Sequence, residues 1–105
     1  MAEFLGNPFF SCRNCRNPLA LREDLLNKNF LAKTGQAYLF TNVVNIALGR
    51  KEDRQLITGK FAIATIYCSN CGVELGWKYL AAYDVKQKYK EGRFIIERSK
   101  IVKEY

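Results

Sequence analysis

Two identical cysteine spacings constrain this chain more than any other feature. Cys12-Arg13-Asn14-Cys15 stands near the start and Cys68-Ser69-Asn70-Cys71 about two-thirds of the way along; the 105 residues hold no other cysteine and no histidine. Two Cys-x-x-Cys knuckles supply four soft thiolates, the closed tetrahedral set of a structural zinc site. The interval matters as much as the pairs. A local zinc ribbon separates its pairs by about 15–20 residues, whereas 52 residues, positions 16–67, intervene here. A long stretch must fold out and return. One Zn2+ held by Cys12, Cys15, Cys68 and Cys71 would therefore tie distant parts of a single domain together.

Two rival uses of the cysteines fit less well. Disulfides need an oxidising compartment, and the opening MAEFLGNPFFSC has no basic region followed by an apolar run and a small-residue cleavage site. The expected location is accordingly the nucleus or cytoplasm, without secretion. A thioredoxin-like redox pair would open a helix in a βαβ unit and leave the second pair idle. Four thiolates also leave no open coordination position, which argues against catalytic zinc.

The length suits one domain with a modest core. No stretch approaches the roughly 18 apolar residues of a membrane span, so no membrane partner is expected. Seventeen Lys and Arg against ten Asp and Glu give a formal charge of +7. Four thiolates and one Zn2+ would bring it to about +5, because metal displaces the thiol protons. Basicity is thus weaker support for a nucleic-acid partner than the bare count suggests.

The rest of the chain reads as short strands punctuated by glycine. Residues 1–8 form an expected flexible arm ahead of a domain over 9–105. Phe9–Cys12 is a strand delivering the first knuckle. Arg22–Leu26 reads as a helical turn or strand entry. A turn at Thr34-Gly35-Gln36 leads to a strand over Ala37–Phe40, and Asn42–Ile46 continues or follows it. Gly49–Arg54 reads as an exposed polar loop. Gln55–Gly59 and Lys60–Tyr67 read as strands, the second running into Cys68. Leu75–Leu80 leaves the second knuckle as a strand, Asp84–Glu91 is a charged connection with room for a helical turn, and Gly92–Arg98 is a last strand. The pattern implies a mainly β, antiparallel architecture stapled by metal.

Several strings, in register with the knuckles, carry a resemblance. Gly35-Gln36-Ala37-Tyr38-Leu39-Phe40, Asn42-Val43-Val44-Asn45, Leu56-Ile57-Thr58-Gly59, Leu75-Gly76-Trp77-Lys78-Tyr79 and the run from Gln87 to Glu97 resemble the Yippee family of eukaryotic zinc-binding proteins, most closely its plant members. The likeness covers about residues 9–103. It implies a β-tent, two antiparallel sheets leaning together and pinned by one zinc, as in the thalidomide-binding domain of cereblon, Mis18 proteins and methionine sulfoxide reductase B. It also implies the four cysteines as ligands, a nuclear, nucleolar or spindle-associated setting, and links to cell division and ubiquitin-ligase assemblies. The chain departs from the family where Phe61 and Arg22 replace a common His and Thr65 a common Asp.

Three functional readings follow. The first is a non-catalytic interaction module that presents a fixed β surface to a protein partner. The second is a reader of a small ligand or modified peptide. Phe61, Ile63, Thr65 and Tyr67 share one strand face and Trp77 and Tyr79 share another. If those faces meet, Phe61, Tyr67, Trp77 and Tyr79 line an aromatic pocket, a chemistry that attracts cations such as methylated lysine. The same rings would equally serve as plain core. The cereblon domain places a tryptophan at the position of Trp77. The third reading is nucleic-acid contact through the basic stretch containing Lys86, Lys88, Lys90, Arg93, Arg98, Lys100 and Lys103, which otherwise is a solvated face. Catalysis is not expected. The cysteines are all committed to metal, there is no histidine for general-base work, and no serine or threonine has an evident activating partner.

Overall fold

A computed structural model describes Phe4 and residues 6–104. Among these residues nine strands form two sheets: β1 (Phe9–Cys12), β2 (Pro18–Leu21), β3 (Leu25–Ala32), β4 (Gly35–Phe40), β5 (Ile46–Leu56), β6 (Gly59–Cys68), β7 (Glu74–Ala82), β8 (Phe94–Glu97) and β9 (Ile101–Glu104). The smaller sheet has the order β2-β1-β9 and the larger β3-β4-β8-β7-β6-β5. Every pairing is antiparallel. This is the mainly β, two-sheet architecture expected of the sequence.

The large sheet buries both of its faces. Along β4, Phe40 joins one apolar cluster while Ala37 and Leu39 join another. Along β8, Phe94 and Ile96 fall in the first and Ile95 in the second. The first cluster packs against the small sheet through Phe10, Leu19 and Ala20. The second contains Phe61, Ile63 and Tyr79, with Trp77 and Phe30 against it. Strands covered on both sides read as unbroken apolar runs rather than alternations, as Phe94-Ile95-Ile96 and Phe61–Ala64 do.

Some segments differ from the sequence reading. Gly49–Arg54 is not a loop but the middle of β5, an eleven-residue edge strand paired with β6 from Ile46↔Cys68 to Leu56↔Gly59. Most of its side chains are exposed, so no apolar period marks it. Gln55 and Leu56 end that strand, and Ile57-Thr58 is the hairpin turn rather than strand. Asn42–Asn45 is irregular, with Asn45 at φ 59°. The helical turn or strand entry expected over Arg22–Leu26 is both, a 3₁₀ turn at Arg22–Asp24 leading into β3 at Leu25, whose length the sequence reading does not reach. Strands β2 and β9 have no counterpart in that reading; β2 begins at Pro18, which an edge strand tolerates because the missing N–H faces outward. Val85–Lys90 does form a short 3₁₀ helix, capped by the Asp84 carboxylate accepting from the Lys86 N–H. Of the expected arm, residues 1–3 and 5 lie outside the described residues, as does Tyr105. Phe4 is buried, its ring edge-on to Phe9 at 5.2 Å.

Candidate functional site

The two knuckles are built alike. After Cys12 the chain turns so that the Arg16 N–H donates to the Cys12 carbonyl (2.7 Å); after Cys68 the Gly72 N–H donates to the Cys68 carbonyl (2.8 Å). The residue following each second cysteine takes positive φ, 65° at Arg16 and 79° at Gly72. The strand ends are closed the same way, by N–H groups of Cys12 and Cys68 donating to the carbonyls of Asn17 and Val73. Strand β1 delivers one knuckle from the small sheet and β6 the other from the large sheet.

The four sulfurs converge. All lie within 4.8 Å of one another. Cys12 and Cys71 Sγ are 3.7 Å apart, and Cys15 and Cys68 Sγ 3.5 Å. A zinc–thiolate tetrahedron with bonds of about 2.3 Å has sulfur–sulfur edges of roughly 3.8 Å. All four are free thiols. The donor set therefore fits one Zn2+, joining the sheets at their shared end.

The surroundings prepare the sulfurs unequally. Burial pushes the Cys12 thiol up to about 12, against the N–H groups of Cys15 and Asn14. Burial also acts to raise Cys68, but the Cys71 N–H, the Asn17 amide and the Asn70 N–H outweigh it and hold that thiol at about 6. The Asn14 side chain and the Val73 N–H lower Cys71. Two asparagines that the sequence reading passed over bind the knuckles together. Asn17 Nδ2 donates to Cys68 Sγ (3.4 Å) and to the Asn45 carbonyl (3.2 Å). Asn45 Nδ2 donates to the Pro18 carbonyl (2.6 Å), and its own carbonyl accepts from the Ser69 N–H (3.0 Å). Partners of this kind orient metal ligands. The string Asn42-Val43-Val44-Asn45 was the available signal.

Of the proposed pocket residues, three come together and one stands apart. The ring centroids of Phe61 and Tyr79 are 4.8 Å apart, and Trp77 meets Tyr79 edge-on at 6.1 Å. Tyr67 lies beyond a bulge in the β6–β7 pairing and lines a separate recess with Arg50, Lys51 and Glu52.

The cation slot among those rings is already filled by the chain itself. Lys90, only 1% exposed, places Nζ 5.1 Å from the centroid of Phe30, 5.2 Å from Phe61, 5.5 Å from Tyr79 and 5.7 Å from Tyr89. Its ammonium donates to Thr58 Oγ1 at 2.8 Å. Burial lowers the Lys90 pKa and raises the Tyr79 hydroxyl to about 12, the neighbouring Trp77 N–H opposing that rise. Trp77 Nε1 is buried without an aligned acceptor.

Beside this box lies a cleft of about 480 Å³ between the edges β3 and β5. Phe30, Leu56, Trp77 and Lys90 line it, and Leu31, Ile57 and Tyr89 stand at it with 67%, 86% and 53% of their surface exposed. Trp77 also borders an adjoining cavity of about 200 Å³ that includes Thr65. The basic C-terminal stretch does not form one face: Lys90 is inside, Lys88 pairs with Glu91, and Arg98 and Lys103 line a recess elsewhere. No described helix is long and apolar enough to cross a membrane.

Comparison with known proteins agrees with this geometry. Residues 8–104 match the profile of the family described as Yippee zinc-binding/DNA-binding/Mis18, centromere assembly. A yippee-like protein of Arabidopsis thaliana is 50% identical over 98 residues, covering 93% of each chain. A second from the same plant is 51% identical over 104 residues, covering 99% of this chain and 98% of its own. Protein yippee-like 3 of Danio rerio is 52% identical over 95 residues, covering 90% of this chain and 80% of its own. The crystal structure of the Mis18 "Yippee-like" domain superposes with a TM-score of 0.74 at 11% identity, over 94% of this chain and 96% of that one, a likeness of fold.

Proposed function

The chain belongs to the Yippee family of zinc-binding domains, and we propose that it works as a non-catalytic interaction module whose contact face is the cleft between β3 and β5. The observation that carries this reading is the rim of that cleft. Leu31, Ile57 and Tyr89 expose apolar surface around one concavity, and such clustered exposure marks interaction sites on otherwise polar surfaces. The partner is a protein segment with an apolar anchor. Zinc serves folding rather than chemistry: four thiolates fill its shell, and the sequence has no further cysteine and no histidine to act as nucleophile or base. Cysteines committed to zinc as thiolates suit a reducing compartment, the nucleus or cytoplasm. The family description names centromere assembly, which favours partners in cell division, with ubiquitin-ligase components the second class to look for.

The test is a quantitative pull-down with wild type against Leu31→Asp/Ile57→Asp. Both side chains are exposed, so the double variant is expected to keep its zinc and its melting temperature and to lose its specific partners. Recovery of the same partners in the same amounts would overturn the assignment of this face.

A second reading, recognition of a small ligand or modified peptide beside Trp77, is favoured by the cleft's volume, which falls in the range of about 300–1,000 Å³ typical of ligand pockets. Lys90 makes a methylated lysine a poor candidate, since the ring box already holds an ammonium. Trp77 is the sole tryptophan, so its fluorescence reports occupancy directly. Titration with methylammonium, imide and peptide ligands is expected to give a saturable change with an uncharged ligand and none with methylammonium; no change with any would end this reading.

A further inference from the structure

A second concavity, on the opposite side of the large sheet's β3 edge from the cleft, has a different chemistry. It measures about 320 Å³ and is lined by Arg13, Arg22, Lys28, Arg98 and Lys103, with no carboxylate among the described lining residues. These cations come from five separate places: the first knuckle, the 3₁₀ turn Arg22–Asp24, β3, the 3₁₀ turn Arg98–Lys100, and β9. Among the described residues, no ion pair joins Arg13, Arg22, Lys28 or Arg98 to an acid. Elsewhere the chain does pair its charges, as in Arg16–Glu104, Lys33–Glu74 and Lys88–Glu91. Arg13 is held in place rather than neutralised: Nε donates to the Ser99 carbonyl (3.0 Å) and an Nη to the Ile101 carbonyl (3.1 Å).

The geometry points to this recess as a binding site for the phosphoryl group of a phosphorylated peptide. Converging like charges repel one another unless an anion joins them. Arginine is the side chain whose planar fork matches phosphate oxygens, and three of the four cations without an ion pair, Arg13, Arg22 and Arg98, are arginines. Two features favour an extended peptide over nucleic acid. The recess lies between strands that are both outermost in their sheets, β9 and β3. Edge strands can pair with an added strand, here outside the Ile101 and Lys28 carbonyls, which already accept from Arg13 Nη and the Gln36 amide. Its aromatic walls, Phe10 and Tyr38, are packed edge-on to each other at 6.1 Å, with Phe10 buried in the core. They are not presented for the base stacking on which single-strand recognition depends.

The zinc-loaded protein is tested against a library of nine-residue peptides centred on phosphoserine, the same library without phosphate, and a single-stranded oligonucleotide. The variants are Arg22→Gln/Arg98→Gln and, as a charge-matched control on the far edge strand, Arg50→Gln/Lys51→Gln. All four side chains are at the surface, and unchanged zinc content and melting temperature certify the fold. Selected phosphopeptides are expected to bind at least about 10-fold more tightly than their unphosphorylated forms, as charge-assisted bidentate contacts imply. The Arg22/Arg98 variant is expected to lose that selectivity and the control to keep it, with Arg98→Lys falling between them. Absence of phosphate selectivity, equal weakening in both double variants, or preferential binding of the oligonucleotide with a steep salt dependence would each overturn the proposal.

Discussion

Lys90 offers a sharp test of how the face of the large sheet turned away from the small sheet is held. Its stem and ammonium fill a box made by Phe30, Phe61, Tyr79 and Tyr89, with Thr58 accepting its one hydrogen bond. Two substitutions separate stem from charge. Lys90→Ala removes three buried methylenes, about 2.4 kcal/mol at roughly 0.8 kcal/mol each, and leaves a void that adds to the cost. The total is about 3 kcal/mol. Lys90→Met keeps most of the volume and removes the ammonium. That removal forfeits about 2 kcal/mol of desolvated cation–π attraction and a charged hydrogen bond of about 1.5–3 kcal/mol. It also relieves a desolvation penalty of several kcal/mol. The terms nearly cancel, so Lys90→Met is expected to stay within about 1 kcal/mol of wild type. Thermal unfolding in saturating zinc reads the difference: at about 4–8 °C per kcal/mol for a domain of this size, the alanine variant falls by more than about 10 °C and the methionine variant by a few degrees. Equal losses would show that the ammonium, not the stem, secures the box, and would refute the cancellation.

Three further outcomes are expected. Cys68→Ser, or a strong chelator, removes a metal whose binding contributes roughly 10–16 kcal/mol in small zinc domains, against a total stability of about 5–15 kcal/mol; circular dichroism and elemental analysis should show an unfolded, zinc-poor chain, and a wild-type melting temperature would reject the staple. Alkaline pH should act oppositely on two buried groups. Lys90 has a depressed pKa, so its penalty is present in full below the folded value and fades as pH rises towards 10.5; wild type should therefore gain on Lys90→Met between neutral pH and about 10.5 in urea unfolding. Tyr79 is raised from 10 to about 12, so the unfolded chain loses that proton first and stability falls above pH 10; Tyr79→Phe should be spared that share of the loss, and parallel curves would contradict it. Gly76→Ala should be severely destabilising, because a Cβ there would run into the Ile95 carbonyl oxygen of the neighbouring strand; a loss below about 1 kcal/mol in denaturant unfolding would mean the β7–β8 backbones can separate.

The metal end of this molecule was legible because its information is local. Two Cys-x-x-Cys strings name the ligands, and strands that run into them, β1 and β6, have apolar residues on the faces they bury. The edges were not legible for a physical reason. Strand β5 is held by backbone pairing to β6 and buries little, so Lys51-Glu52-Asp53-Arg54 reads as loop although it is strand. Strands β2 and β9 are four residues each, too short to show a period. Lys90 reads as one of a run of surface lysines because its burial depends on Phe30, 60 positions earlier, and Phe61, 29 positions earlier. Neither distance leaves a trace in local pattern. Asn17 and Asn45 escaped for the same reason: each acts on a knuckle 51 or 24 residues away.

The cleft follows from an imbalance in the fold. A six-stranded sheet with apolar residues on both faces needs two covers. The three-stranded sheet supplies one and zinc fastens it. No third sheet exists among the described residues to supply the other, so the face turned away from the small sheet is closed by what the β7–β8 connection can bring, a 3₁₀ helix that inserts Lys90 beneath Tyr89. A long amphipathic side chain is well suited to that position, because its methylenes extend the apolar layer while its ammonium finds ring faces and a hydroxyl. The plug is narrower than the sheet. Trp77 is left half-covered beside it, and Leu31 of β3 and Ile57 of the β5–β6 turn stand exposed at the opening. An apolar group from a partner would extend the cover that Lys90 begins. On this argument the box and the contact face are one structure, and Lys90→Ala should weaken partner binding even where excess zinc keeps the domain folded.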